Sequence, residues 1–259
     1  MLEWKAEWRA EWKDLVRELQ LWRDAGRTPT LWWRDDDAQS RTAALQPLTQ
    51  LSSGHAVPVA LASIPKGCDS TLVEVVSRYP ELSVLQHGYS HTNHAPPDER
   101  KCELGAHRPQ AAVLDELEQG QQELRRLFAT RFLPVLVPPW NRLSTALIDA
   151  LPNVGFIGLS TLGPRPKHTA LTQVNVHVDL IDWRDGRRFV GEEQALRRLI
   201  EHLALRRAGG SVDPREATGI MTHHLVQDAA GWRFLARLFE ISRKEGARWC
   251  SAEELFPGA

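Results

Sequence analysis

A chain of 259 residues, 42% hydrophobic and 25% charged, carries enough apolar material for one full core and is neither disordered nor fibrous in composition. Its formal charge of −1 argues against a global pull on nucleic acid or an anionic membrane. The three cysteines, Cys68, Cys102 and Cys250, are far apart and odd in number, which speaks against a disulfide framework and against a thiolate zinc site.

The first residues, Met1-Leu2-Glu3-Trp4-Lys5, are charged throughout and lack the apolar core of a secretory leader. No stretch approaches the roughly eighteen uninterrupted apolar residues of a membrane span. The expectation is a cytoplasmic protein whose partner is a small molecule or saccharide, with no nucleic-acid or membrane partner; oligomeric state is not legible.

In chain order, Trp4, Trp8, Trp12, Leu15, Leu19 and Trp22 recur at helical spacing, predicting an amphipathic helix over 3–25 that Gly26 and Pro29 end. The tryptophan stripe reads as a face packed on the domain rather than a sugar platform. Residues 1–28 are thus a helical extension and 29–259 a single catalytic domain. Strands are predicted at 30–34, 57–64, 83–86, 132–137, 155–159, 173–179 and 219–222. Helical patterns fall between them, at 40–53, 69–78, 110–129, 144–151, 191–208 and 229–246. Such alternation gives an α/β fold with a mostly parallel sheet, and about seven units favour closure into a barrel. In such folds chemistry gathers at the C-terminal ends of strands.

Five polar constellations occupy those ends. An apolar strand runs straight into Asp35-Asp36-Asp37, three adjacent anions whose repulsion calls for a cation, although an acidic helix start would look similar. His87 and His91 can reach one ion if the chain turns, and Gly88 permits the turn. Pro138-Pro139 stiffens the approach to Trp140, Asn141 and Arg142. Asp179 and Asp182-Trp183 form the fourth group, and a last strand ends in Thr222-His223-His224. A long loop over 95–109 follows the histidines and reads as a lid.

This order of Asp-Asp, His-x-x-x-His, Pro-aromatic, Asp-x-x-Asp-Trp and a late histidine resembles the polysaccharide deacetylase superfamily (NodB homology, carbohydrate esterase family 4). The resemblance implies a distorted (β/α)7 barrel and a hydrolase that removes an acyl, chiefly acetyl, group from an amide-linked substrate such as an N-acetylated saccharide. Carried across, Asp36 becomes the catalytic base, and Asp37, His87 and His91 the ligands of one divalent ion. That ion is zinc foremost, with cobalt, manganese or nickel as alternatives. Trp140 offers its backbone N–H to the oxyanion, with Asn141 and Arg142 beside the substrate. His223 becomes the general acid and Asp182 the group that orients it. The register within Asp35-Asp36-Asp37 stays open by one residue. The family's arginine is replaced by Val137, with Arg142 or Arg34 as substitutes. Ala38 and Thr92 also depart from the pattern, so two alternatives stand beside it: hydrolysis of a non-sugar C–N bond, or a binding protein that has lost activity.

Overall fold

The computed structural model describes residues 11–166, 171–210 and 212–258. In chain order the elements are α1 (Trp12–Asp24), β1 (Thr30–Ala38), α2 (Leu45–His55), β2 (Val59–Ser63), α3 (Ser70–Arg78), β3 (Leu82–His87), α4 (Gln110–Phe128) and β4 (Phe132–Val137). There follow α5 (Thr145–Ile148), β5 (Gly158–Leu159), β6 (Thr172–Gln173), β7 (Val178–Asp179), β8 (Ile181–Asp182), β9 (Arg188–Phe189), α6 (Glu192–Ala208), β10 (Thr218–Thr222), α7 (Ala229–Lys244), β11 (Arg248–Trp249) and α8 (Ala252–Leu255). Among the described residues no helix is long and apolar enough to cross a membrane.

Every pairing in the large sheet is parallel, in the order β6-β5-β4-β3-β2-β1-β10-β7, with β11 added beside β1. The predicted strand at 173–179 is used twice. Its first part pairs with Gly158 and Leu159, and the ladder continues through Val176 N–H to the Thr161 carbonyl at 3.0 Å. Its second part pairs with Ile220 and Met221. One short stretch therefore joins the two edges of the sheet. The result is the expected α/β barrel, distorted because this seventh stave changes partner along its length.

Alternation along the strands sorts the core. Trp32, Ala60, Ala62, Leu85, Val135, Val137, Val176 and Met221 form one cluster inside the curl. Leu31, Trp33, Val59, Leu61, Val84 and Ile220 belong to a second, between the sheet and its helices. The apolar face of α1 joins that second cluster through Leu15, Leu19 and Trp22, all about 1% exposed or less. Trp12 packs on Phe234 at 5.2 Å, and the Trp22 indole donates to the Leu203 carbonyl. Trp4 and Trp8 lie outside the described residues. Three pieces escaped the periodicity: the two-residue strands of the β8–β9 hairpin, β11, and α8. Each is too short to show a period.

Candidate active site

In a regular strand Asp36 and Asp37 would point to opposite faces. A bulge prevents this: the register to β2 shifts between Asp36 and Ala38, and Asp37 takes φ 75°. Such an extra residue re-aims a side chain, and here it leaves both carboxylates facing the open end of the barrel. The cost is a left-handed backbone at a residue with a Cβ. Four more left-handed residues surround it: Gly88, His91, Trp140 and Asn141, with φ between 55° and 58°.

The bulge sets Asp37 Oδ1 3.2 Å from His87 Nε2 and 3.4 Å from His91 Nε2. Donor atoms of all three residues lie within 4.8 Å of one another. His87 Nδ1 sits 2.9 Å from the Val137 carbonyl, which only accepts, so Nδ1 carries the proton and neutral His87 turns a lone pair toward Asp37. Asp37 Oδ1 is buried with no hydrogen-bond partner, its 3.2 Å approach to His87 lacking hydrogen-bond geometry. Two electron pairs facing across that distance call for a cation between them. Were His87 protonated instead, it would donate to Asp37, and in that form it, with His223 and His91, outweighs burial and holds the carboxyl well below the usual carboxylate range. One carboxylate and two imidazoles fit a divalent ion with open positions for water or substrate.

Asp36 is gripped from its own strand. Arg34, two residues back on the same face, donates from Nε to Asp36 Oδ1 at 2.8 Å and from Nη2 to Oδ2 at 3.0 Å. The Arg34 side chain is fully buried and Asp36 nearly so. Arg34 also bonds Ser160 and the Asn141 side-chain oxygen. Across the mouth, His223 Nε2 stands 3.9 Å from Asp36 Oδ2, and the Trp183 ring meets the His223 ring edge-on at 4.6 Å. Trp140 packs on His91 at 4.4 Å between ring centres and lies in the middle of the short turn after β4.

Three expected residues have partners of their own within the fold. Asp182 accepts the Arg184 and Asp185 N–H groups and so closes the β8–β9 turn, held below its ordinary pKa by those two bonds. Asp179, by contrast, feels the His223 charge, as Asp37 does; it is bonded to the Trp183 indole at 2.8 Å and lifted in pKa by burial. Asn141 is taken up by Arg34, and Arg142 reaches the Lys101 carbonyl in the 95–109 loop. Of the two arginines considered beside Asp36, Arg34 bonds it, whereas Arg142 bonds the Lys101 carbonyl. Asp35, the remaining member of the triplet, turns outward and is fully buried. It accepts from Thr222 at 2.6 Å and sits 2.5 Å from His224 Nδ1. Burial lowers the His224 pKa, but the Asp35 charge overcomes it and raises it.

A second group, His177, His202 and Glu216, also gathers possible donor atoms within 4.8 Å, beside the N-terminal end of β10. Here the tautomer is wrong for a metal. His177 Nδ1 accepts the Gly219 N–H at 2.9 Å, so in the neutral ring Nε2 carries the hydrogen; it lies 3.2 Å from Glu216 Oε1 without hydrogen-bond geometry. Burial keeps His177 and His202 neutral, with pKa values of about 3 and about 2, and lifts Glu216 to about 7.

No protein-family model matches the chain, nor does any curated protein. Solved structures do. A polysaccharide deacetylase from Mycobacterium smegmatis, described as putative, is 14% identical with a TM-score of 0.65, covering 89% of each chain. A carbohydrate esterase family 4 pseudoenzyme from Bacillus anthracis is 12% identical with a TM-score of 0.60, covering 88% of this chain and 66% of that one. A family 4 acetyl xylan esterase from Clostridium thermocellum, in complex with a cobalt ion, is 14% identical with a TM-score of 0.54, covering 88% and 90%. The chain thus has the fold of the family 4 carbohydrate esterases.

Proposed function

We propose that this chain is a metal-dependent hydrolase that removes an acyl group, acetyl foremost, from an amide-linked substrate of the N-acetylated saccharide class. The observation that carries this reading is that Asp37, His87 and His91 present bare donor atoms to one point, with the Asp36–His223 pair alongside at 3.9 Å. The fold shared with family 4 esterases, one of them solved with cobalt, supports it.

Asp37, His87 and His91 would hold a divalent ion, zinc foremost with cobalt, manganese or nickel as alternatives. When bound, such an ion polarises the acyl oxygen and makes water a stronger nucleophile at neutral pH. Arg34 fixes the orientation of Asp36 through both carboxylate oxygens, and Asp36 receives the proton of the attacking water. The Trp140 N–H meets the oxyanion as charge develops, a donor worth on the order of 3 kcal/mol. His223 hands a proton from Nε2 to the departing nitrogen, its ring steadied by Trp183. Asp179, bonded to that indole, takes the place expected of Asp182 as the group that orients the histidine through Trp183.

The test is acetate release from a soluble N-acetylated oligosaccharide by protein loaded with zinc or cobalt. Asp36→Asn should lower turnover about 10²–10⁴-fold while metal content stays the same. Undiminished turnover in that variant would remove Asp36 from the chemistry. Bound metal with no acetate released from any amide or ester would favour the binding-protein alternative.

A further inference from the structure

The turn that carries the two histidines leans on one carboxylate from the long loop that follows. Glu103 is 0% exposed. Its Oε1 accepts the Ser90 N–H at 2.7 Å and the Ser90 hydroxyl at 3.0 Å, and its Oε2 accepts the Tyr89 N–H at 3.3 Å. Both of its oxygens are thus used as acceptors. Arg108 bonds the Glu103 main-chain carbonyl and spends its other bonds on Glu116. Among the described residues no lysine or arginine hydrogen-bonds the Glu103 carboxylate.

The loop behind Glu103 is itself anchored. Leu104 bridges Leu143, and Ser144 N–H donates to the Leu104 carbonyl at 2.7 Å. In front of it, a Cβ at Gly88 would strike Glu103 Oε2 and come within 2.6 Å of Pro139. Carboxylate, turn and the Pro139 segment are thus packed against one another directly behind His91, whose electrostatic surroundings include Glu103.

We infer that Glu103 is a positioning residue of the metal centre: it locks the Gly88–Ser90 turn so that His87 and His91 converge on Asp37, and it adds buried negative charge behind the bound cation. This rests on the metal reading of the site given above. A group of this kind governs cation affinity by orienting ligands rather than by touching the ion.

The test uses the full chain, stripped of metal and titrated with Co²⁺, followed by its visible absorption bands and by calorimetry. Glu103→Gln places an amide NH2 against backbone donors and removes the charge. Affinity should fall about 10–100-fold and the absorption bands should move, a change that general destabilisation would not produce. Glu103→Asp keeps the charge but withdraws the oxygens from the turn. It should also bind more weakly, and it supplies the same reading if the glutamine variant does not fold. Wild-type affinity and an unchanged spectrum in a folded variant would overturn the inference and leave the metal reading intact. No cobalt binding by the wild type would overturn both.

Discussion

The Arg34 guanidinium holds both carboxylate oxygens of Asp36 from two residues back on the same strand. This pair answers the absence of an arginine at Val137, because strand periodicity puts i and i+2 on one face. Since both side chains are almost wholly buried, Arg34→Met leaves an unpaired carboxylate inside the barrel. We expect a loss of about 3–5 kcal/mol, read as a lower denaturant midpoint, together with loss of turnover. A variant as stable as wild type would mean the pair is replaceable.

Asp179 and Asp182 can be told apart. Asp179→Asn sets an amide against the Trp183 indole N–H and removes the charge near His223, so kcat should fall by about tenfold or more with metal affinity unchanged. Asp182→Asn should leave kcat within about twofold and at most loosen the β8–β9 turn. Equal effects of the two substitutions would return the orienting role to open competition.

Gly88 holds φ 58° against Glu103 and Pro139. Gly88→Ala adds left-handed strain of about 1–2 kcal/mol to a steric conflict that only movement of the histidine turn relieves. Lower stability and weaker cobalt binding should therefore appear together. Reduced stability with cobalt affinity intact would separate the turn from the ligands.

At the other end of the barrel, burial lifts Glu216 to about 7 from an ordinary 4.5. Between those values the folded chain keeps a proton that the unfolded chain has lost, so this contribution is complete below about 4.5 and is lost as pH rises through 7. His177 and His202, depressed to about 3 and about 2, act in the opposite sense, adding stability as pH rises toward 6.5. Glu216→Gln should therefore gain on wild type between pH 5 and pH 8 by on the order of 2–3 kcal/mol. Urea unfolding at the two pH values checks it, and a pH-independent difference would refute it.

The large pattern was readable because it is written in periods. Strands such as 132–137 and helices such as α4 and α6 carry enough residues to show alternation or a 3.6-residue repeat. The acidic triplet and the histidine pair were visible as residue types at strand ends. What periodicity cannot express is backbone handedness, so the bulge at Asp37, which decides that two successive aspartates share a face, left no mark in the sequence. Asp182 drew attention through its spacing to Trp183, whereas a turn of the chain gives the place near His223 to Asp179. Glu103 sits in an aperiodic loop and becomes meaningful only once that loop is folded back beneath Ser90.

The stave made by residues 172–179, and the slot it leaves for β10 beside β1, fix an order of assembly. Asp37, His87 and His91 all precede residue 92, whereas His223 arrives on the strand that enters between β1 and β7. During synthesis, a cation-holding half can therefore form early, while the acid–base pair is completed only by the β1–β10 pairing, which joins Leu31 to the far-off Thr218 and is of the slow, non-local kind. Refolding should accordingly restore metal uptake before turnover.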